Sequence, residues 1–354
     1  CLLSRGLGDV YKRQQIILMI KLLDPRQKVT ISILICVSTF VCFLGLSLGS
    51  FNVELNKILS GDADPLQTEV LFNIRLPRVL LAACVGGALG ISGAALQGLF
   101  RNPLADPGLI GVSAGAAFGA VSAIVLVNSG LIFLQLGSFL VPLAAILGSL
   151  LVISLIYILT ASFANSGIMY MLLVGIALNA MSTVGIGFLT FVSSDSQLRT
   201  LTFWMMGSFG STSWELLIPS MVLVFITILT LVLNSRKLDI MQLGESEAYR
   251  TGVDVLRTRR TIILSSAIMI GTCVSLSGII GFVGLVVPHI VRLLAGSSHT
   301  FLLIGSAIMG TLITVLADLF SRLIIQPAEL PIGLATSAIG APFFLWLVLR
   351  LRNK

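Results

Sequence analysis

The chain has 354 residues, of which 56% are hydrophobic and 10% charged, with a formal net charge of +7. Soluble domains carry roughly 25% charged residues. Charge this sparse, with a mean hydropathy of +1.05, excludes a water-soluble enzyme, a nucleic-acid-binding domain and a disordered chain. The surplus of positive charge reads as the inside bias of a membrane protein.

Residues 1–18 lack a starting Met, a clear periodicity and an apolar stretch long enough for a signal peptide. They read as a non-native or disordered extension, with Met19 opening a single transmembrane domain over 19–354. Apolar runs follow near 29–50, 78–98, 108–128, 137–161, 167–192, 214–234, 260–281, 282–296, 300–323 and 332–350. Continuous runs of about 20 residues have the length of a membrane-crossing helix and lack the alternation of barrel strands. The predicted fold is an all-α polytopic membrane protein of about ten spans, with both termini on one side. The runs at 108–128 and 282–296 are short or Gly-rich, as broken helices lining buried or wet space are. Of the 22 basic residues, Lys57, Arg75, Arg78, Arg199 and Arg322 fall on the side away from the termini. The others fall with the termini, which are therefore expected in the cytoplasm.

Several residues stand out along the way. Cys1, Cys36, Cys42, Cys84 and Cys273 form no CxxC pair and read as small buried hydrophobes. With only two histidines, no metal site and no cofactor is expected. Arg75 and Arg78 flank a proline suited to a helix start. With Arg322, near Glu329, they either anchor at lipid phosphates or form a basic pocket for an acidic protein or anionic ligand. The stretch Arg101-Asn102-Pro103-Leu-Ala-Asp106-Pro107 predicts a rigid turn, with Arg101 and Asp106 a candidate ion pair. The hydrophilic segment 235–259 has apolar residues at roughly helical spacing. It predicts two short amphipathic helices parted at Thr251-Gly252, forming either a solvated connector or a docking surface. Pro288, His289 and Arg292 make a second charged stretch on the inner side. Asp318 lies in an apolar run, where a lone charge needs a partner, and Arg322 one turn later is the nearest. Gly90-Ile-Ser-Gly93 and Ser275-Leu-Ser-Gly278 hint at an inverted internal repeat. Gly86, Gly87, Gly90 and Gly93 suggest close helix packing. No Walker A loop, nucleophile elbow or zinc motif is present.

Several ordered blocks resemble the permeases of type II ABC importers, the FecCD or BtuC-like family. They are Arg75-Leu-Pro-Arg78, Ser92-Gly93 with Gln97, Arg101 to Pro107, Gly111-Val-Ser-Ala-Gly115 and Phe203 to Phe209. Gly281 to Arg292, Ala317-Asp318 with Arg322, and Glu329 to Gly333 followed by Gly340-Ala-Pro342 continue the series. The resemblance implies a BtuC-like fold and a non-enzymatic transport subunit in the bacterial cytoplasmic membrane. It implies a second permease subunit, identical or different, two cytoplasmic ATPase subunits and an extracytoplasmic substrate-binding protein. An iron–siderophore complex is the first substrate expectation, haem and cobalamin the next. By motif, Arg75, Arg78 and Arg322 would meet acidic residues of the binding protein. Leu243, Gly244, Ala248, Gly252 and Arg257 would belong to the segment seated on the ATPase. Gly175, Asn179, Ser182 and Thr183 would line the path. Arg101, Asn102, Pro103, Asp106, Pro288, His289, Arg292 and Asp318 would be structural. The competing reading is an ion-coupled secondary transporter, which needs intramembrane carboxylates.

Overall fold

The computed structural model describes residues 23–49, 51, 53–60, 64–106, 108, 111–128, 137–161, 167–325 and 328–352. The extension at 1–18 and Pro107 lie outside the described residues. Among those described there are helices and no strands. In chain order they are α1 Pro25–Ser47, α2 Leu55–Ser60, α3 Pro65–Phe100, α4 Val112–Asn128, α5 Leu140–Ala161, α6 Gly167–Phe191 and α7 Asp195–Met206. There follow α8 Trp214–Leu233, α9 Ser235–Met241, α10 Glu245–Arg250, α11 Val255–Ser277, α12 Val283–Ala295, α13 His299–Leu323 and α14 Ile332–Arg352.

Each predicted apolar run carries a helix, and α1, α3, α5, α6, α8, α11 and α13 are long and apolar enough to cross a membrane. The runs of α4, α12 and α14 hold shorter apolar helices. By length alone the described residues therefore give 7 candidate spans. The sequence reading missed α2 and α7, which are short and interspersed with polar residues. It also set the start of α3 too late. A π-helical stretch, Val70–Arg75, continues the helix back through the charged approach to the membrane.

The core is built on α3, whose spanning window is 83% buried, against 11% for α6. Its small residues explain this. Gly86 on α3 and Gly310 on α13 meet backbone to backbone, so that a Cβ on either would collide with the carbonyl of the other. Thr311 and Thr314 of α13 donate to the carbonyls of Ala83 and Ala82, each at 2.8 Å. A second crossing joins Gly115 of α4 to Gly148 of α5. Lipid tails are as apolar as Leu, so helix association rests on this kind of close contact and on interhelical hydrogen bonds. The two stretches that suggested a repeat serve different local purposes. Gly93 lies against the Gly284 carbonyl of α12, whereas Gly278 ends α11 at φ +70 against the Trp204 carbonyl.

The hydrophilic segment holds two short helices; the break predicted at Thr251-Gly252 is present after α10, and a further break before α10 was not predicted. α9 ends at Met241, and Gly244, at φ +124, opens α10. Gly252 closes α10 at the predicted break: at φ +83 it donates to the Tyr249 carbonyl while Val253 donates to Ala248. This is the paired terminal bonding of a helix stop that requires a left-handed residue.

Candidate functional site

One end of the bundle gathers the three predicted arginines. Arg75 Nη1 donates to the carbonyls of Leu46 and Ser47 at 2.8 and 2.7 Å, and Nη2 to that of Phe51. Arg322 Nη2 donates to the Gly45 carbonyl at 3.1 Å and Nη1 to that of Leu48 at 3.4 Å. Two guanidiniums thus cap the C-terminal end of α1, where carbonyls lack helical partners and the helix dipole is negative. Arg78 Nε donates to Asp318 Oδ1 at 2.9 Å, and its Nη1 reaches both carboxylate oxygens of Glu329 at 2.8 and 2.9 Å. Asp318 Oδ2 lies 3.1 Å from Arg322 Nε as an ion pair, without hydrogen-bond alignment.

Asp318 therefore does orient Arg322, as its spacing suggested, and Arg78 shares it. The sequence reading missed the bonds from Arg78 to Asp318 and Glu329 because they join distant parts of the chain. The three arginines do not stand as an open basic pocket in this chain. They are 4%, 6% and 7% exposed, and their donors turn to the chain's own acceptors. Backbone contacts lock the surrounding loops. Ser208 donates to the Ser277 carbonyl at 2.8 Å, Ile332 to Gly207 at 3.1 Å and Leu330 to Ser321 at 3.1 Å.

The opposite end holds the turn after α3 and the helices α9 and α10. Arg101 is left-handed at φ 50 and ends α3, while Asn102 donates back to the Gln97 carbonyl. The side chain of Asn102 accepts from Leu104 N–H at 2.9 Å, and that of Asp106 from Gly108 N–H at 3.1 Å. The predicted Arg101–Asp106 pair does not form: Arg101 is exposed, and Asp106 is spent within its own turn. Burial pushes the Asp106 carboxyl above its ordinary range, with the Gly108 N–H acting against it.

Gln97, which the sequence marks only as part of a motif, has a specific task in the structure. Pro288 has no N–H to donate to the Gly284 carbonyl one turn back in α12. Gln97 Nε2 supplies donors instead, to Gly284 at 3.4 Å and Leu285 at 3.3 Å, and its Oε1 accepts from Arg292. His289 stands edge-on to Phe343 with ring centres 6.1 Å apart.

Helices α9 and α10 are fastened by residues the sequence reading missed. Asp239 Oδ1 accepts from His299 N–H at 2.9 Å and contacts its ring Nδ1 at 2.6 Å. Gln242 Nε2 donates to the Gly98 carbonyl at 2.7 Å, and Glu245 pairs with Arg259. Of the predicted coupling residues, Ala248 is fully buried and anchors α10, while Leu243 is 73% exposed. Tyr249 of α10 is 77% exposed. Arg257 is exposed, and its backbone N–H donates at 2.9 Å to the Asp254 carboxylate that caps α11. Gly244 and Gly252 set the two turns.

On α6, Gly175 and Ser182 are buried within the chain, Asn179 is half-buried and Thr183 is exposed. A Cβ on Gly111 would meet the Gly175 carbonyl, so Gly175 packs on the approach to α4. The exposed face of α6 carries Leu173, Ile176, Met181, Val184 and Phe188.

Residues 35–350 match the FecCD transport family. The chain belongs to that family. It is 42% identical over 308 residues to the hemin transport system permease protein HmuU of Yersinia pestis, covering 87% of this chain and 91% of that one. It is 39% identical over 333 residues to the vitamin B12 import system permease protein BtuC of Escherichia coli O127:H6, covering 94% and 99%. A solved inward-facing metal-chelate type ABC transporter superposes with a TM-score of 0.81 at 33% identity, over 90% of this chain and 98% of that one. This FecCD chain is accordingly a multi-pass ABC importer permease with a BtuC-like fold, and ATP hydrolysis lies in a separate subunit. Such a permease works with an ATPase, a substrate-binding protein and a second permease.

Proposed function

We propose that this FecCD chain forms half of the translocation path of an importer for a metal chelate, with haem as its substrate. It sits in the bacterial cytoplasmic membrane with both termini inside. The observation that carries the substrate reading is the 42% identity to a hemin permease along nearly the whole of both chains. The α6 surface supports it. Its exposed face is apolar, and α6 holds no charged residue. A wall of this kind holds a large planar ligand weakly along its length, which suits passage. The path-lining role assigned to Gly175, Asn179, Ser182 and Thr183 narrows to Asn179, Thr183 and the exposed neighbours of that face.

The competing ion-coupled mechanism finds no support in Asp318, since both of its oxygens face arginines. Leu243 and Tyr249 form the apolar surface offered to an ATPase, on a base fixed by Ala248 and Asp239. At the other end, Arg75, Arg78 and Arg322 act on the binding protein by holding the shape of the docking rim, with Glu329 its half-exposed member.

Uptake by a strain lacking its own importers and carrying this permease with its partner subunits tests the substrate. Labelled haem is expected to accumulate. Accumulation of cobalamin or a ferric siderophore with exclusion of haem would overturn that assignment.

A further inference from the structure

A cavity of about 600 Å³ opens between α5, α6 and α11, at the end of the bundle that carries α9 and α10. Sites for small molecules occupy about 300–1,000 Å³. The wall is apolar, with Ile153 and Ile156 from α5 and Ile263 and Leu264 from α11. Among the described residues its charged members are Arg259 and Arg260, and no acid lines it.

Arg259 is 8% exposed. Its Nη2 pairs with Glu245 of α10, while its Nε is buried without a hydrogen-bond partner. A buried guanidinium N–H left unpaired is unfavourable, and Arg259 is one of the residues that line the cavity. Arg260 lies over the Tyr157 ring, 4.9 Å from its centre, which holds a second cation at the cavity.

The depth of the cavity is also informative. Arg259 and Arg260 stand in the first two turns of α11, Tyr157 close to the end of α5, and Tyr170 in the first turn of α6. Tyrosines and snorkelling arginines at helix ends mark the headgroup level of a bilayer.

We infer that this cavity binds one anionic phospholipid, with its phosphate on Arg259 and Arg260 and an acyl chain along Ile153, Ile156, Ile263 and Leu264. A free phosphate would answer the arginines and leave the apolar wall wet. A neutral apolar ligand would offer no anion to the two arginines, and a zwitterionic lipid would bring its own cation against two others. A lipid with a net negative head satisfies both halves of the site. Its phosphate and Glu245 then share one guanidinium, which links the lipid to α10.

Native mass spectrometry of the full chain, delipidated in detergent and titrated with phosphatidylglycerol or phosphatidylcholine of equal chain length, tests this. One phosphatidylglycerol per chain is expected to bind in preference to phosphatidylcholine. Arg259→Gln with Arg260→Gln should weaken it about twenty-five-fold, near fivefold for each arginine at an anionic surface. Lys237→Gln, at an exposed lysine near the same end, should leave it unchanged. Ser154→Trp, at an exposed wall position, should weaken binding with both arginines intact. Should the double variant fail to fold, Arg260→Gln and Ser154→Trp carry the test. Equal binding of the two lipids, unchanged affinity in the variants, or inorganic phosphate binding as tightly as the lipid would overturn the inference.

Discussion

Arg78 donates to Asp318 at 2.9 Å across 240 positions of sequence. The same carboxylate faces Arg322, one turn on in α13. Since Arg322 caps α1 and Arg78 reaches Glu329, a single buried acid ties together α1, α3, α13 and the approach to α14. Asp318→Asn leaves two buried guanidiniums without their shared anion. Removing one partner of a buried pair costs about 3–5 kcal/mol, so the purified permease should melt well below the wild type. Glu329 is 49% exposed, and Glu329→Gln should cost less than about 1 kcal/mol. Equal losses from the two variants would show that Asp318 is no brace.

The glycine crossings should tolerate no side chain. Gly86→Leu drives a branched group into the Gly310 backbone, whereas a Cβ at Gly187 meets nothing within 4 Å. Size-exclusion chromatography in detergent should therefore show aggregated or absent protein for Gly86→Leu and a normal peak for Gly187→Ala. A normal peak for both would mean that α3 and α13 do not meet as described.

At the α9–α10 end, exposure separates anchors from contacts. Leu243→Asp and Tyr249→Asp change only exposed side chains, so the permease should fold while co-purification of its ATPase falls at least about tenfold, as hot-spot truncations at interfaces do. Ala248→Asp places a charge at a fully buried position and should abolish folding itself. Full ATPase recovery with Leu243→Asp and Tyr249→Asp combined would remove the coupling surface from this segment.

Arg78→Lys separates charge from geometry. A lysine keeps the cation but has no rigid fork to hold Asp318 and Glu329 together. Affinity for the binding protein should fall about tenfold while ATPase co-purification stays at the wild-type level. Unchanged affinity, measured by surface plasmon resonance on folded protein, would show that the rim does not depend on Arg78.

Some of this was legible in the sequence for physical reasons. Long apolar runs must become helices in lipid, because nothing else satisfies their backbone, so the runs were located from composition alone. The i,i+4 spacing of Asp318 and Arg322 was legible because it is local. Arg78 with Glu329, Asp239 with His299 and Gln97 with the Pro288 turn were not, since each joins elements far apart in the chain. The inward burial of Arg75 was hidden for the same reason. Its acceptors are backbone carbonyls at the end of α1, which leave no trace in side-chain identity. The break at Gly252 was legible and the one at Gly244 was not: both are glycines at positive φ, the second ending a helix and the first opening one.

The most direct test of the central claim is haem uptake by proteoliposomes containing this permease, its ATPase and its haem-loaded binding protein. The account predicts haem accumulation with ATP, and none when an ion gradient replaces ATP. Gradient-driven uptake without the ATPase, or ATP-driven vesicles that leave haem outside, would contradict it.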